Sequence, residues 1–209
     1  MIAAAIALLL AAAAPANTPT RLPPFEDCRG DSAFDRFRAE LTDAVARRDV
    51  AELRPLVADN ILSSFGGDGG WSEFALAWGL ETEPAASKLW PQLEELLKLG
   101  CAPTQAGGRA FPSLFQHSGE DADPFELVVA RPGSGLYAKA RDATAVAALD
   151  WHSARQSDPG PESGWVEVTL FDGRKGWLRE VDLLSPLGYR LVAERRGGRW
   201  LIVAMVAGD

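Results

Sequence analysis

The chain has 209 residues, a sequence pI near 4.9 and a formal net charge of −8, with 47% hydrophobic residues. The deficit is shared: residues 17–110 carry 10 basic and 15 acidic side chains, residues 111–209 carry 11 and 14. No basic face stands out, which argues against nucleic acid or an anionic membrane as partner, and the length suits one large domain or two small ones.

Residues 1–16, MIAAAIALLLAAAAPA, form an apolar run ending in the small-x-small Ala14-Pro15-Ala16. It is short for a membrane span and reads as a cleaved signal peptide, although the usual basic start is missing. Cys28 follows Phe25-Glu26-Asp27, which is no lipobox, so a soluble periplasmic or secreted product with no membrane attachment after cleavage is expected. A Pro/Thr-rich leader, 17–30, comes next. Cys28 and Cys101 are the only cysteines, so an oxidising compartment allows one intramolecular disulfide.

A helical domain is predicted over 31–101. Phe34, Phe37, Leu41 and Val45 make one apolar stripe over Ser32–Arg48, capped by Asp31 or Ser32. Asp49–Ser64 reads as a continuing helix with Asp49 and Glu52 at capping-box spacing and a kink or delayed start at Pro55. A Gly-rich loop, 66–70, precedes a short helix Trp71–Leu80. A clearer helix, Ser87–Leu99, stops at Gly100. The Gly-rich loop lacks the Gly-Lys-Ser/Thr of a phosphate loop and carries Asp68, so it reads as a turn. Residues 102–124 read as a linker whose Glu120, Asp121 and Asp123 lack the spacing of a calcium site. No metal site and no cofactor are expected.

From Phe125 the period becomes that of strands: Glu126–Ala130, Leu136–Ala140, Ala145–Trp151, Trp165–Phe171 and Arg174–Arg179. A two-residue Asp172-Gly173 turn would set Val168 opposite Trp177 and Val166 opposite Arg179. Val166, Val168, Leu170 and Trp177 would then face the core, with Trp165, Glu167, Thr169, Phe171, Gly176 and Leu178 on the other face. In 188–209 a second hairpin turns at Gly197-Gly198, pairing Tyr189 with Val206, Leu191 with Ala204 and Val192 with Val203. Trp200–Val206 is apolar on both faces and should be covered on both. Arg195, Arg196 and Arg199 crowd its tip, as an anion site or a solvated turn.

Three resemblances rest on these residues. Leu136-Tyr137-Ala138-Lys139-Ala140, Val146-Ala147-Ala148-Leu149, Gly164-Trp165-Val166-Glu167-Val168, Asp172-Gly173-Arg174-Lys175-Gly176-Trp177-Leu178 and Leu183 resemble the bacterial SH3 (SH3b) pattern over 125–187. Departures are the absent Pro near Asp142, the absent Gly after Leu149 and the polar insert Ser153–Ser163. Residues 46–53 and Val57-Ala58-Asp59-Asn60-Ile61 resemble the opening of NTF2-like domains, and the 189–206 stretch resembles the end of such chains, so the last hairpin can pack back on the N-terminal helices. Asp27-Cys28-Arg29-Gly30 resembles the nucleophile motif of NlpC/P60 peptidases, but Arg29 departs from it, and neither His117 nor His152 sits in that family's histidine setting.

The fold expected is α+β: an N-terminal helical region, a small SH3-like β-barrel and a C-terminal β-hairpin. The SH3b resemblance implies a non-catalytic envelope module holding cell-wall (peptidoglycan) peptide or a periplasmic protein. Tyr137, Trp151 and Trp165 are its binding residues, unless they merely close the barrel. The alternative is an enzyme, a thiol peptidase through Cys28 or an acid/base site in an NTF2-like pocket.

Overall fold

The computed structural model describes residues 20–64, 66, 67, 69–116, 123–157 and 164–208; the expected signal peptide lies outside them. Among these residues no helix is long and apolar enough to cross a membrane. Helices and sheets are both present, as α+β requires.

Helix α1 (Ser32–Arg47) starts where Asp31 turns its carboxylate onto the amides of Ala33 and Phe34, at 3.0 and 3.1 Å. It ends at Arg48, whose backbone is left-handed. Its buried stripe is Phe34, Phe37, Leu41, Ala44 and Val45, the one that the 3.6-residue period marks. The Phe34 amide, with help from the Ala33 amide and the Trp200 indole, holds the Asp31 carboxyl below its ordinary range. The stabilisation from this cap is therefore complete above the unfolded-chain value of about 3.9 and is lost as pH falls through the lower folded value. Asp31→Asn keeps the acceptor but does not titrate. Urea titrations at pH 7 and pH 3 should show a smaller acid-induced fall in midpoint for that variant than for the wild type.

The second predicted helix is mostly something else. Asp49 caps only α2 (Val50–Leu53), Pro55 opens a 3-10 turn over Arg54–Leu56, and Val57–Leu62 is strand β1. A proline lacks the N–H to continue the helix, and the extended segment gains a sheet partner instead. Helices α3 (Trp71–Ala77) and α4 (Leu89–Lys98) fall inside their predicted spans. Residues 102–116, read as linker, contribute β2 (Ala102–Pro103) and β3 (Arg109–Phe111).

The central β module contains β4 (Leu127–Ala130), β5 (Ser134–Leu136), β6 (Ala147–Leu149), β7 (Ser153–Gln156), β8 (Trp165–Leu170), β9 (Lys175–Arg179) and β10 (Leu183–Leu184). The polar insert thus begins as strand β7, paired with both β4 and β8. Strands β11 (Arg190–Arg196) and β12 (Arg199–Val206) end the chain.

Two five-stranded sheets result, ordered β1-β12-β11-β3-β2 and β10-β4-β7-β8-β9, plus the ribbon β5-β6. In the first sheet β12 lies between β11, antiparallel, and β1, parallel. The last hairpin therefore packs back on the N-terminal helices, and one core joins Phe34, Phe37, Trp90, Phe111, Leu191, Trp200 and Ile202. The β module is an insertion between two strands of that sheet, β3 and β11, which pair with each other through Leu191 and Phe111. The ribbon β5-β6 joins the second sheet through one bridge, Tyr137 to Trp177, and no closed barrel forms among the described residues. A strap of residues 20–28 spans both units, with Arg21 bridged to His152 and Glu26 to Cys101. An Arg131–Glu95 ion pair ties the module to α4.

The Gly197-Gly198 turn has two residues, and next to it the pairs Arg196–Arg199, Arg195–Trp200 and Ala193–Ile202 follow the predicted register. A bulge between Val192 and Ala193 then shifts it, so Val192 meets Ala204 and Leu191 meets Met205. Only the face of β12 with Trp200, Ile202 and Met205 is buried throughout; Leu201, Val203 and Ala204 on the rest of the strand are half-buried.

The register of β8–β9 differs from the two-residue expectation. The loop has three residues: Leu170 donates to Arg174 O at 2.8 Å, and Gly173 takes φ +91. A three-residue loop closing on a left-handed glycine is a standard hairpin solution. Every pair moves by one, giving Val166–Leu178, Glu167–Trp177 and Val168–Gly176. Leu178 is therefore fully buried and Trp177 half-buried, the reverse of the sequence expectation. Leu178→Ala should cost about 3 kcal/mol and Trp177→Ala clearly less. Urea unfolding of both variants decides it, and the opposite order would restore the two-residue register.

Candidate functional site

The shifted register determines which aromatic side chains leave the core. Directly opposed residues share a face, so Trp165, Glu167, Thr169, Lys175, Trp177 and Arg179 lie together on the outer side of the β8–β9 ribbon. Tyr137 joins them: its N–H donates to Trp177 O at 2.9 Å, and the Trp177 N–H donates back at 2.8 Å. That backbone approach depends on Gly176, where a Cβ would lie 2.6 Å from Tyr137 O. Gly176→Ala should therefore separate the ribbon from β9 and lower stability by roughly 1–3 kcal/mol. The expected readout is a reduced urea midpoint together with altered near-UV dichroism from the aromatic face.

The Tyr137 ring meets Trp165 edge-on, with centroids 5.0 Å apart and planes at 86°. It also lies across Gly135, whose missing Cβ leaves room for the ring. Tyr137, Trp165 and Trp177 are each half-buried, so they present aromatic surface rather than fill the interior. Beside them Arg179 donates to Asp182 at 2.7 Å, and that bond raises the guanidinium's already high pKa. Stacked and edge-on aromatics with a charged rim can hold an extended peptide by apolar contact and by hydrogen bonds at the edges.

Trp151 is elsewhere. It packs with Leu22, Leu114, Leu127 and Val129, where the N-terminal strap meets the β module, and its N-terminal neighbour Asp150 pairs with Arg21. Its own carbonyl accepts the Leu22 amide at 2.8 Å, and its φ is +54. Of the three predicted site residues, the structure thus brings Tyr137 and Trp165 together and places Trp151 in the seam between units. Trp177 is the residue that sequence reasoning missed. The signal was Gly176, which tolerates a core-facing position against a neighbouring backbone better than it explains an outward one.

The other flagged groups are committed to structure. Cys28 and Cys101 form a disulfide across 73 positions, and both are buried. With no thiolate at Cys28, the nucleophile expected of the peptidase motif is missing. The only described residues that gather metal-type donor atoms are Glu26, Cys28 and Cys101, and both sulfurs are spent in that bond. His152 accepts the Asp150 amide at Nδ1, 3.0 Å away, while His117, Glu120 and Asp121 lie outside the described residues. Asp123 caps a turn by accepting the Phe125 amide. In the Gly-rich loop the Gly69 amide already binds the Glu73 carboxylate at 3.0 Å.

Protein-family models, curated proteins and solved structures were compared with the chain, and none matches.

Proposed function

We propose that the chain is an exported cell-envelope protein whose central β module is an SH3-like, non-catalytic binding module. Its ligand is a cell-wall peptide, held on the face made by Tyr137, Trp165 and Trp177. The observation that carries this reading is the half-buried edge-on pair of Tyr137 and Trp165, on the outer side of a ribbon whose inner side is fully packed. The disulfide supports the location, since such bonds persist in oxidising compartments. The strand order and the Tyr137–Trp177 bridge support an open, SH3-like arrangement of the strands.

Co-sedimentation with purified sacculi tests the proposal. The wild type should be retained at moderate salt, and Trp165→Ala or Tyr137→Ala should reduce retention about tenfold or more, in keeping with aromatic hot spots. Near-UV dichroism checks that the variants stay folded. Equal retention of folded variants and wild type, or no retention at all, would reject this ligand and this face.

A further inference from the structure

The aromatic face of the β module carries a charge pattern as well as rings. On the outer side of the β8–β9 ribbon the opposed residues form three rows, Trp165 with Arg179, Glu167 with Trp177 and Thr169 with Lys175. The middle row sets the Glu167 carboxylate across from Trp177. Trp165 stands two residues back on the same strand, roughly 7 Å away on the same face. Tyr137 closes the group from the far side of β9, bridged to Trp177 and edge-on to Trp165 with the two ring planes at 86°. Two walls at nearly a right angle, with a third ring beside them, make a corner open to solvent.

The charges beside this corner are not equivalent. Glu167 is exposed, and among the described residues its carboxylate makes no hydrogen bond or ion pair. Arg179 gives its Nε–H to Asp182 at 2.7 Å, so those two charges cancel as a unit. Lys175 lies one row beyond Trp177 and two rows from Trp165, at the end of the ribbon away from the Tyr137–Trp165 pair. The face of an aromatic ring carries negative potential, which draws cations and repels anions. Three rings and an uncommitted carboxylate therefore select the same sign of ligand.

We propose that this corner recognises a primary ammonium group on an aliphatic stem, the side chain of a diamino acid that has not been cross-linked. The ammonium is held by Glu167 and by the ring faces of Tyr137 and Trp165, and the stem lies along Trp177. The inference rests on the reading of this face as a cell-wall peptide site and names the part of the peptide that is read. Cross-linking turns such an amine into a neutral amide, so the face separates free peptide ends from linked ones.

The test has two arms, both on the full chain. In the first, Nα-acetyl-lysine amide, whose only charge is its side-chain ammonium, is titrated against the indole N–H signals in nitrogen–proton NMR spectra, with Trp165→Phe and Trp177→Phe identifying the two relevant ones. Those signals should move saturably, and the neutral Nα-acetyl-norleucine amide should bind about tenfold more weakly, as loss of the cation predicts. Glu167→Gln should weaken the lysine compound roughly fivefold, the scale of an exposed ion pair, and Glu167→Asp should recover part of that. In the second arm, sacculi whose free amines have been acetylated should retain the wild type about tenfold less than native sacculi. Near-UV dichroism checks that each variant is folded. Equal titrations with the lysine and norleucine compounds, or no movement of either indole signal, would overturn the inference whatever the sacculi show. Equal retention on native and acetylated sacculi would overturn it while leaving the cell-wall reading in place, and absence of retention on both would reject that reading instead, with the first arm still deciding whether the corner selects ammonium.

Discussion

Replacing both cysteines, Cys28→Ala with Cys101→Ala, should lower stability by about 4 kcal/mol. The bond closes a loop of 73 positions, and in the chain-entropy treatment a closed loop of that length removes this much freedom from the unfolded state. For a protein of this size the change should appear as a fall in Tm of roughly 8–16 °C. The physical consequence is local as well. Cys101 exchanges two backbone hydrogen bonds with the strap, its N–H donating to Phe25 O at 3.1 Å and its carbonyl accepting the Asp27 amide at 2.8 Å. Without the covalent tie, the strap should lose amide-exchange protection before the core does. Differential scanning calorimetry with hydrogen-exchange mass spectrometry reads both effects. A free-thiol titration of the unreduced protein should find none, whereas a Tm within 2 °C of wild type for the double variant would contradict the assigned role.

Phe34→Ala should cost about 3–5 kcal/mol, the range for deleting a buried aromatic ring. Phe34 is fully buried and touches three elements at once. Its ring lies 5.0 Å from Trp200 on β12, 6.1 Å from Phe111 on β3 and 5.8 Å from Phe37 on its own helix. The Arg109 guanidinium stands 5.7 Å above it. Removing the ring leaves a cavity at the junction of α1, β12 and β3, where none can relax without moving the others. Phe34→Leu keeps most of the volume and should cost under about 1.5 kcal/mol. Urea denaturation should show a reduced midpoint with an unchanged slope for both. Equal losses for the two variants would mean that ring volume is not what Phe34 contributes.

The strands and helices with strong periodicity were legible, and so was the disulfide, because local pattern and a cysteine count are enough for them. Asp31 and Asp49 announced their caps in the same way. What failed depended on partners far away in the chain. Val57–Leu62 reads as helix alone but becomes a strand because β12 lies beside it. Residues 102–116 look like linker because each strand there is only two or three residues long. The β8–β9 register turned on whether the loop holds two or three residues, a choice that Asp172-Gly173 alone does not make. That single residue exchanged Trp177 for Leu178 in the core and completed the aromatic face. Trp151 was misplaced for a related reason, since its environment is made by Leu22 and Leu114, contributed by other units of the chain.

The place of β12 between β1 and β11 in the first sheet has a consequence for the order of events when the chain is made. Among the described residues Val57–Leu62 has one strand neighbour, Arg199–Val206, which is made only after the whole inserted module. The sheet of the N-terminal unit therefore cannot be completed until the inserted module has been synthesised. Its helices must wait with their apolar stripes uncovered while the whole inserted module passes. A product cut short before Arg199 lacks the strand that joins β1 to β11, so quality-control proteases should find it open and remove it.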